Sequence, residues 1–268
     1  MQAGKAGNNR ALQKIPLKCR PGSSAGEVSS CGNVSARTIN SLLRSSAPND
    51  VVCVQEVWQP TWDAWQRRAT QGTAFRSVVA ARKHLQSGVL YNSARWRSVL
   101  ETCLSHRGRM FQLVRLAPVG VGAAEPVVDV LNVNLWHGAD ATRDLRRMVA
   151  LLYDGRNTPA DVDSSVPRGT YHGPPAARVV LAGDLNTEAP ERLDVIEGSA
   201  TGRVLTRHGH TTRTCCSTDD HPEHWGLAYD HLYSTGKPVG RANGVVGLGQ
   251  PPNQRGSDHL IVKTAFRW

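Results

Sequence analysis

Several features that mark other classes of protein are missing from this chain. Its 268 residues contain no run of about 18 apolar residues, so no membrane-spanning helix is expected. The polar and basic residues 1–19 lack the apolar centre of a signal peptide. No two cysteines are spaced as CxxC, which argues against a zinc site. We also find no Gly-rich nucleotide-binding loop and no internal repeat in the sequence.

Acidic residues are the minority among the charged residues. Asp and Glu number 22 against 32 Lys and Arg, which gives a net charge of +10 and a pI near 9.7. This balance favours polyanionic partners, either nucleic acid or the headgroups of an anionic membrane surface. The six cysteines permit disulfides, and with them an exported protein, but establish neither. Partner subunits and destination stay open.

The chain from residue 33 onward alternates short apolar runs with amphipathic segments. Residues 1–32 are rich in Gly, Ser, Asn and Lys, which predicts a poorly ordered N-terminal segment. Residues 33–268 are expected to form one domain, long enough to bury a substantial core. Helices are predicted from Asn33, over 61–70 and over 142–154; strands are predicted over 51–57, 75–80, 87–91, 97–104, 110–116, 127–135, 179–182 and 227–233, with a last one ending at Phe266.

Polar side chains stand where these apolar runs end. The run over 179–182 stops at Gly183 and is followed by Asp184 and Asn186, whose spacing places both side chains on the same side of an extended chain. Glu56 lies at the exit of the run over 51–57. An ionised carboxylate among apolar neighbours is costly unless it finds a cation or donors. Metal ligation and a salt bridge are both solutions for Glu56.

Three more strand ends carry groups of the same kind. Asn134, with His137 shortly after it, ends the run over 127–135; Asp230 lies near the start of a late strand, and Asp258 with His259 precedes the last one. This concentration of polar residues at strand ends predicts that they lie along one edge of the sheets and form one site, because rigid elements commonly present functional groups at their ends.

The chemistry served by these residues can be stated from their types. Several oxygen ligands and few soft ones suit Mg²⁺ or Mn²⁺. A His supported by a carboxylate can hold one tautomer and move a proton. Arg109, in the basic hairpin at 105–109, either binds a phosphate through its fork of donors or lies in a solvated turn. Together the set predicts metal-assisted hydrolysis of a phosphoester.

Four motifs give the chain a resemblance to a known family. Gln55-Glu56, Gly183-Asp184-Leu185-Asn186, Tyr229-Asp230-His231 and Ser257-Asp258-His259 resemble, in order and rough spacing, the endonuclease/exonuclease/phosphatase superfamily, which includes deoxyribonuclease I. The resemblance covers about 33–268. It implies a four-layer α/β sandwich, with two mainly antiparallel β-sheets face to face and helices outside. Within the superfamily, the 22–25 segment, the Gly108-Arg109 hairpin and the Asp230 strand are similar to the B subunit of cytolethal distending toxins.

The resemblance implies a divalent-metal-dependent phosphodiesterase, an endonuclease on DNA, with Mg²⁺ or Mn²⁺ as cofactor. It also implies a role for each motif residue. Glu56 ligates the metal, Asp258 is a further metal-site or orienting carboxylate, and Asp184 orients or deprotonates the attacking water. Asn186 binds the scissile phosphate, His259 hydrogen-bonds that phosphate and takes part in proton transfer, and Asp230 holds the His259 imidazole.

Two departures from the family pattern keep other functions open. The segment 18–25 lacks the family's first strand and its metal-setting Asn, so the chain start is incomplete or that contact is lost. Asn134 stands where the family has a catalytic His, although His137 could serve instead. One alternative is a phosphoinositide phosphatase or sphingomyelinase-type enzyme on membrane lipid headgroups, marked by exposed aromatic residues over 58–65. The other is a catalytically weakened, nucleic-acid-binding homologue.

Overall fold

Two β-sheets of unequal width form the centre of the computed structural model, which describes residues 25–45, 50–58, 62–82, 85–106, 109–120, 126–135, 141–154, 162–163, 176–186, 192–193, 205–208, 229–239, 244–246 and 261–268. Its helices are α1 Ala25–Leu43, α2 Trp62–Thr70 and α3 Ala141–Asp154. Its strands are β1 Val51–Trp58, β2 Phe75–Arg82, β3 Leu85–Asn92, β4 Trp96–His106, β5 Arg109–Pro118, β6 Val128–Asn134, β7 Val162–Asp163, β8 Arg178–Asp184, β9 Arg192–Leu193, β10 Leu205–His208, β11 Asp230–Ser234, β12 Lys237–Pro238, β13 Gly244–Val246, β14 Ile261–Lys263 and β15 Phe266–Arg267.

The two sheets differ in their strand pairing. The first has the order β1-β3-β2 and is antiparallel throughout. The second has the order β7-β4-β5-β6-β8-β11-β10-β9, in which β6 and β8 are parallel and the other pairs antiparallel. Two short ribbons, β12-β15 and β13-β14, complete the described strands.

Apolar side chains fill three interfaces and so define four layers. Val89 of the first sheet and Val130 of the second belong to the cluster between the sheets. Trp65 belongs to the cluster that joins α1 and α2 to the outer face of the first sheet. Met148 and Leu181 belong to the cluster that joins α3 to the outer face of the second sheet. The predicted sandwich, with two mainly antiparallel sheets face to face and helices outside, is confirmed.

The first helix corrects part of the predicted N-terminal loop. α1 begins at Ala25 instead of Asn33, so the expectation of loop over 25–32 is wrong. Ser35 lies inside the helix, where it is fully buried, and its hydroxyl accepts a hydrogen bond from Trp65 Nε1 at 2.8 Å. Packing against α2 therefore stabilises a segment whose Gly and Ser content disfavours helix.

The C-terminal strand is also shorter than predicted. The expected single strand ending at Phe266 is divided into β14 and β15, which pair with different partners. Among the described helices, none is long and apolar enough to cross a membrane.

Candidate active site

Three neighbouring strands of the second sheet bring polar residues into one row. Asn134 on β6 is the parallel partner of Asp184 on β8, and Asp184 is the antiparallel partner of Asp230 on β11. Neighbouring strands lie about 4.8 Å apart, so the three residues stand side by side. All three are buried, with 3%, 1% and 7% of their surface exposed. The structure thus unites three of the residues that the sequence placed at separate strand ends.

A β-bulge in the first sheet supplies the fourth polar residue. Val54 pairs with Gly88 and Val57 with Gln86, so two residues of β1, one of them Glu56, stand opposite a single residue of β3. Glu56 has a φ of 54°, in the left-handed region that residues other than glycine seldom adopt. Bulges re-aim side chains in this way beside active sites. Glu56 is 2% exposed and directed at the second sheet, where it contacts Asn134.

An ion pair joins Glu56 to Arg109 at the start of β5. Arg109 Nη1 donates to Glu56 Oε1 and also, at 3.0 Å, to Asn134 Oδ1. Asn134 Nδ2 donates to the same Glu56 oxygen at 3.0 Å, so the three side chains form a closed triangle. Arg109 is 8% exposed, and the alternative that it lies in a solvated turn is therefore wrong. The salt bridge pairs the Oε1 atom of the buried carboxylate with a cation, which is one of the two solutions left open for Glu56.

The segment after β8 is fixed by its own polar groups. Asn186 has a φ of 48°, and its backbone N–H donates to Asp184 Oδ1 at 2.9 Å. Asn186 Nδ2 donates to the carbonyl of Leu135 at 2.8 Å, and the Leu135 N–H donates to the carbonyl of Asp184 at 2.9 Å. This turn holds the Asp184 and Asn186 side chains against the end of β6, so both are preorganised.

The remaining predicted site residues are His137, Asp258 and His259. They lie outside the described residues, and their roles stay predictions. The sequence analysis missed Asn132 and Gln112, which are 0% and 1% exposed on β6 and β5. A polar amide inside an otherwise apolar run was their signal, because buried amides need partners.

The donor chemistry of the described residues bears on metal binding. Glu56 carries its carboxylate beside a carboxamide, and such hard oxygen donors suit Mg²⁺. Ligation requires an ionised carboxylate, and Glu56 has a cationic partner in Arg109. Within the described ranges, no three His, Cys, Asp or Glu side chains are grouped closely enough to hold a metal ion. Glu56 therefore fits as one ligand, and the others would come from water, substrate or residues outside those ranges.

Neither of the two cysteines whose side chains the structure describes is suited to the chemistry of this site. Burial raises the pKa of the Cys53 thiol on β1 and of the Cys103 thiol on β4 to about 12. Both thiols are therefore protonated at neutral pH, and a protonated thiol is a poor nucleophile and a poor metal ligand.

Comparisons with known proteins agree with this geometry. The model of the Endonuclease/Exonuclease/phosphatase family matches residues 27–259. Among solved structures, a D. rerio TDP2 humanized by 14 mutations is 14% identical, with a TM-score of 0.59 over 88% of this chain and 93% of that one. D. rerio TDP2 complexed with single strand DNA product is 15% identical, with a TM-score of 0.57 over 88% and 92%. ANGEL2, a 2′,3′-cyclic phosphatase, in complex with adenosine-2′,3′-vanadate is 14% identical, with a TM-score of 0.54 over 87% and 84%. At these identities the likenesses show the fold. No curated protein matches the chain.

Proposed function

The chain belongs to the Endonuclease/Exonuclease/phosphatase family of metal-dependent phosphoesterases, and we propose that it is an endonuclease that hydrolyses DNA phosphodiester bonds with Mg²⁺ or Mn²⁺. The observation that carries the proposal is the meeting of Glu56, Arg109 and Asn134 with the Asp184 row at one edge of the two sheets. A buried carboxylate, a guanidinium and a second carboxylate on rigid strands are the groups that phosphoester hydrolysis needs.

Each described residue has a role that its position supports. Asp184, whose carboxylate is fixed by the turn to Asn186, orients the attacking water and accepts its proton. Arg109, whose guanidinium lies beside Glu56 and Asn134 at this edge, offsets the negative charge of the phosphate.

A divalent ion would be held by Glu56 together with Asp258, and when bound it would offset charge on the phosphoryl oxygens. Asn134 is neutral at all ordinary pH values and cannot deliver a proton to the leaving group. That step is assigned to His137 or His259, and a chain without it would be slower by about 10²–10⁴-fold.

A comparison supports nucleic acid over lipid as substrate. The net charge of +10 suits either polyanion, but D. rerio TDP2, which has the same fold, was solved with a single-stranded DNA product. The lipid alternative required exposed aromatic residues over 58–65. Trp62 and Trp65 in that segment are instead buried at 3% and 1% exposure and stack on each other in the core, so neither is an exposed aromatic residue of the kind that this alternative required. The narrower resemblance to cytolethal distending toxin B subunits stays a prediction.

Nicking of supercoiled plasmid tests the proposal. We expect nicking in Mg²⁺ that EDTA abolishes and that Asp184→Asn reduces by at least about 10²-fold, since the isosteric amide cannot accept the proton of the water. Asp63→Asn, which removes an exposed carboxylate on α2, is the matched control and should nick normally.

Three results would contradict the proposal, the first in the role given to Asp184 and the other two in the activity itself. Equal nicking by Asp184→Asn and the wild type would remove Asp184 from the reaction. Hydrolysis of adenosine 2′,3′-cyclic phosphate without nicking would favour a cyclic phosphatase, as ANGEL2 is. DNA binding that weakens steeply with salt, without any metal-dependent turnover, would identify a non-catalytic homologue.

A further inference from the structure

Three amide side chains are buried between the two sheets, directly beneath the candidate active site. Gln55 on β1, Gln112 on β5 and Asn132 on β6 have 2%, 1% and 0% of their surface exposed. The surrounding interface is a cluster of valines and leucines. Burying an amide in an apolar interface is costly unless its polar atoms are hydrogen-bonded, so these three side chains must find their partners within the interface.

Asn132 is the centre of the amide network. Its Oδ1 accepts a hydrogen bond from Gln55 Nε2 at 2.6 Å. Its Nδ2 lies within hydrogen-bonding distance of the carbonyl oxygens of Val54 and Gly88, both at 3.1 Å, and of Gln112 Oε1 at 3.2 Å. One side chain of the second sheet thus holds two neighbouring strands of the first sheet by their backbones.

The network ends away from the site at the other side of the first sheet. Gln112 Nε2 donates to the carbonyl of Val78 on β2 at 3.1 Å. Gln112 therefore shares the burial and the chemistry of Gln55 but contacts no residue of the bulge in β1 through its own donor. This makes Gln112 a matched reference for Gln55.

Side chains of β6 hydrogen-bond to three consecutive residues of β1 at the bulge that orients Glu56. Asn132 accepts from the Gln55 side chain and donates to the Val54 carbonyl, and Asn134 donates to Glu56 itself. Asn132 and Asn134 lie on the same face of β6 because side chains two residues apart in a strand do. A left-handed φ at a residue such as Glu56 persists only where its surroundings fix it.

We propose that Gln55 and Asn132 are positioning residues for Glu56: their hydrogen bond fixes the bulge and with it the direction of the carboxylate that ligates the divalent ion. Apolar side chains of the same size would fill this space, but they would not set the position of β1 along β6, because only the hydrogen bonds are directional. This inference rests on the proposed function, since it assigns Glu56 to the metal.

The test compares Gln55→Met with Gln112→Met in the full chain. Each substitution keeps the length of the side chain and removes its hydrogen bonds. We measure the dissociation constant of Mn²⁺ alone by electron paramagnetic resonance, the free energy of unfolding in urea, and the nicking rate. We expect both variants to lose similar stability, but only Gln55→Met to weaken Mn²⁺ binding, by about 10–100-fold, as changes behind a metal ligand do. If Gln55→Met does not fold, Gln55→Asn, which keeps the amide but shortens its reach, replaces it.

The possible outcomes separate the positioning role from the proposed function. Equal Mn²⁺ affinity in the wild type and the Gln55 variant would overturn the positioning role and leave the metal site intact. An equal loss of affinity in the Gln55 and Gln112 variants would overturn it as well, because the effect would then belong to the sheet interface as a whole. A wild type that binds no Mn²⁺ would overturn the metal assignment of Glu56 and the inference with it.

Discussion

Replacing Gly183 by Ala tests whether the close approach of two strands places the catalytic carboxylate. Gly183 precedes Asp184 at the end of β8 and pairs with Val133 on the parallel strand β6. Its φ is 154°, and a Cβ built there would lie 1.9 Å from the carbonyl oxygen of Val133. That oxygen belongs to the backbone, so no side-chain rotation can relieve the contact, and β8 must shift away from β6.

The magnitude follows from the geometry. Real Cβ contacts are essentially never shorter than 3.0 Å, so the local backbone must move by about 1 Å. Overpacking of this kind costs about 1–3 kcal/mol, and the backbone strain of a φ that L-residues rarely adopt costs about 1–3 kcal/mol more. A displacement of about 1 Å at Asp184 is expected to lower the nicking rate by about 10²-fold.

Gly120→Ala supplies the control for this prediction. Gly120 also has a positive φ, 79°, but a Cβ there would meet no atom within 4 Å, so only the strain applies. We expect urea unfolding to show a clearly larger loss of stability for Gly183→Ala than for Gly120→Ala, and the plasmid-nicking rate to fall by about 10²-fold only in Gly183→Ala. Equal stability and equal nicking of the two variants would refute the role of the close approach.

Three further predictions concern the buried charges. Arg109→Met should lower the free energy of unfolding by about 3–5 kcal/mol in EDTA, because it leaves the Glu56 carboxylate buried without its guanidinium. Mg²⁺ should restore part of the lost stability by binding the folded state. Identical urea unfolding curves of the variant in EDTA and in Mg²⁺ would contradict the binding of Mg²⁺ at Glu56. Asp129→Asn should lower the free energy of unfolding by a similar amount, because this fully buried carboxylate accepts hydrogen bonds from Arg115, Tyr153 and the backbone N–H of Ala176. Nicking per folded molecule should stay normal, because Asp129 lies at the other end of β6 from the site. Burial, and then the charge of Asp129, raises the pKa of Tyr153 well above its ordinary value, so the folded protein keeps this proton above about pH 10, where the unfolded chain releases it. The resulting stabilisation of the folded state is complete below about pH 10 and is lost above it by about 1.4 kcal/mol per pH unit. Urea unfolding between about pH 9 and 11 should therefore show a steeper loss of stability in the wild type than in Tyr153→Phe.

The sequence predicted the strands and the sandwich well because their signals are local. Apolar runs of strand length recur with polar residues at their ends, and the family resemblance adds the arrangement of the layers. The metal-dependent phosphoesterase class is confirmed in the same way, by motifs that the family model also matches. Cleavage of DNA by an endonuclease mechanism stays a prediction.

The partners of the site residues could not be predicted, because they depend on contacts between distant segments. The salt-bridge partner of Glu56 is Arg109, which lies 53 positions further along the chain. The bulge at Glu56 depends on the register of β1 against β3, and nothing in a single strand shows where a register shifts. The start of α1 was missed for a similar reason, since its Ser35 is held by Trp65 of another helix.

The direction of each strand explains why polar residues follow some strands and precede others. β6 and β8 are parallel, so Asn134 and Asp184 both come at their carboxyl ends and reach the same edge of the sheet. β11 runs antiparallel to β8, and its polar residue, Asp230, must therefore be its first. A polar residue before a strand thus predicts that the strand enters the sheet from the site edge.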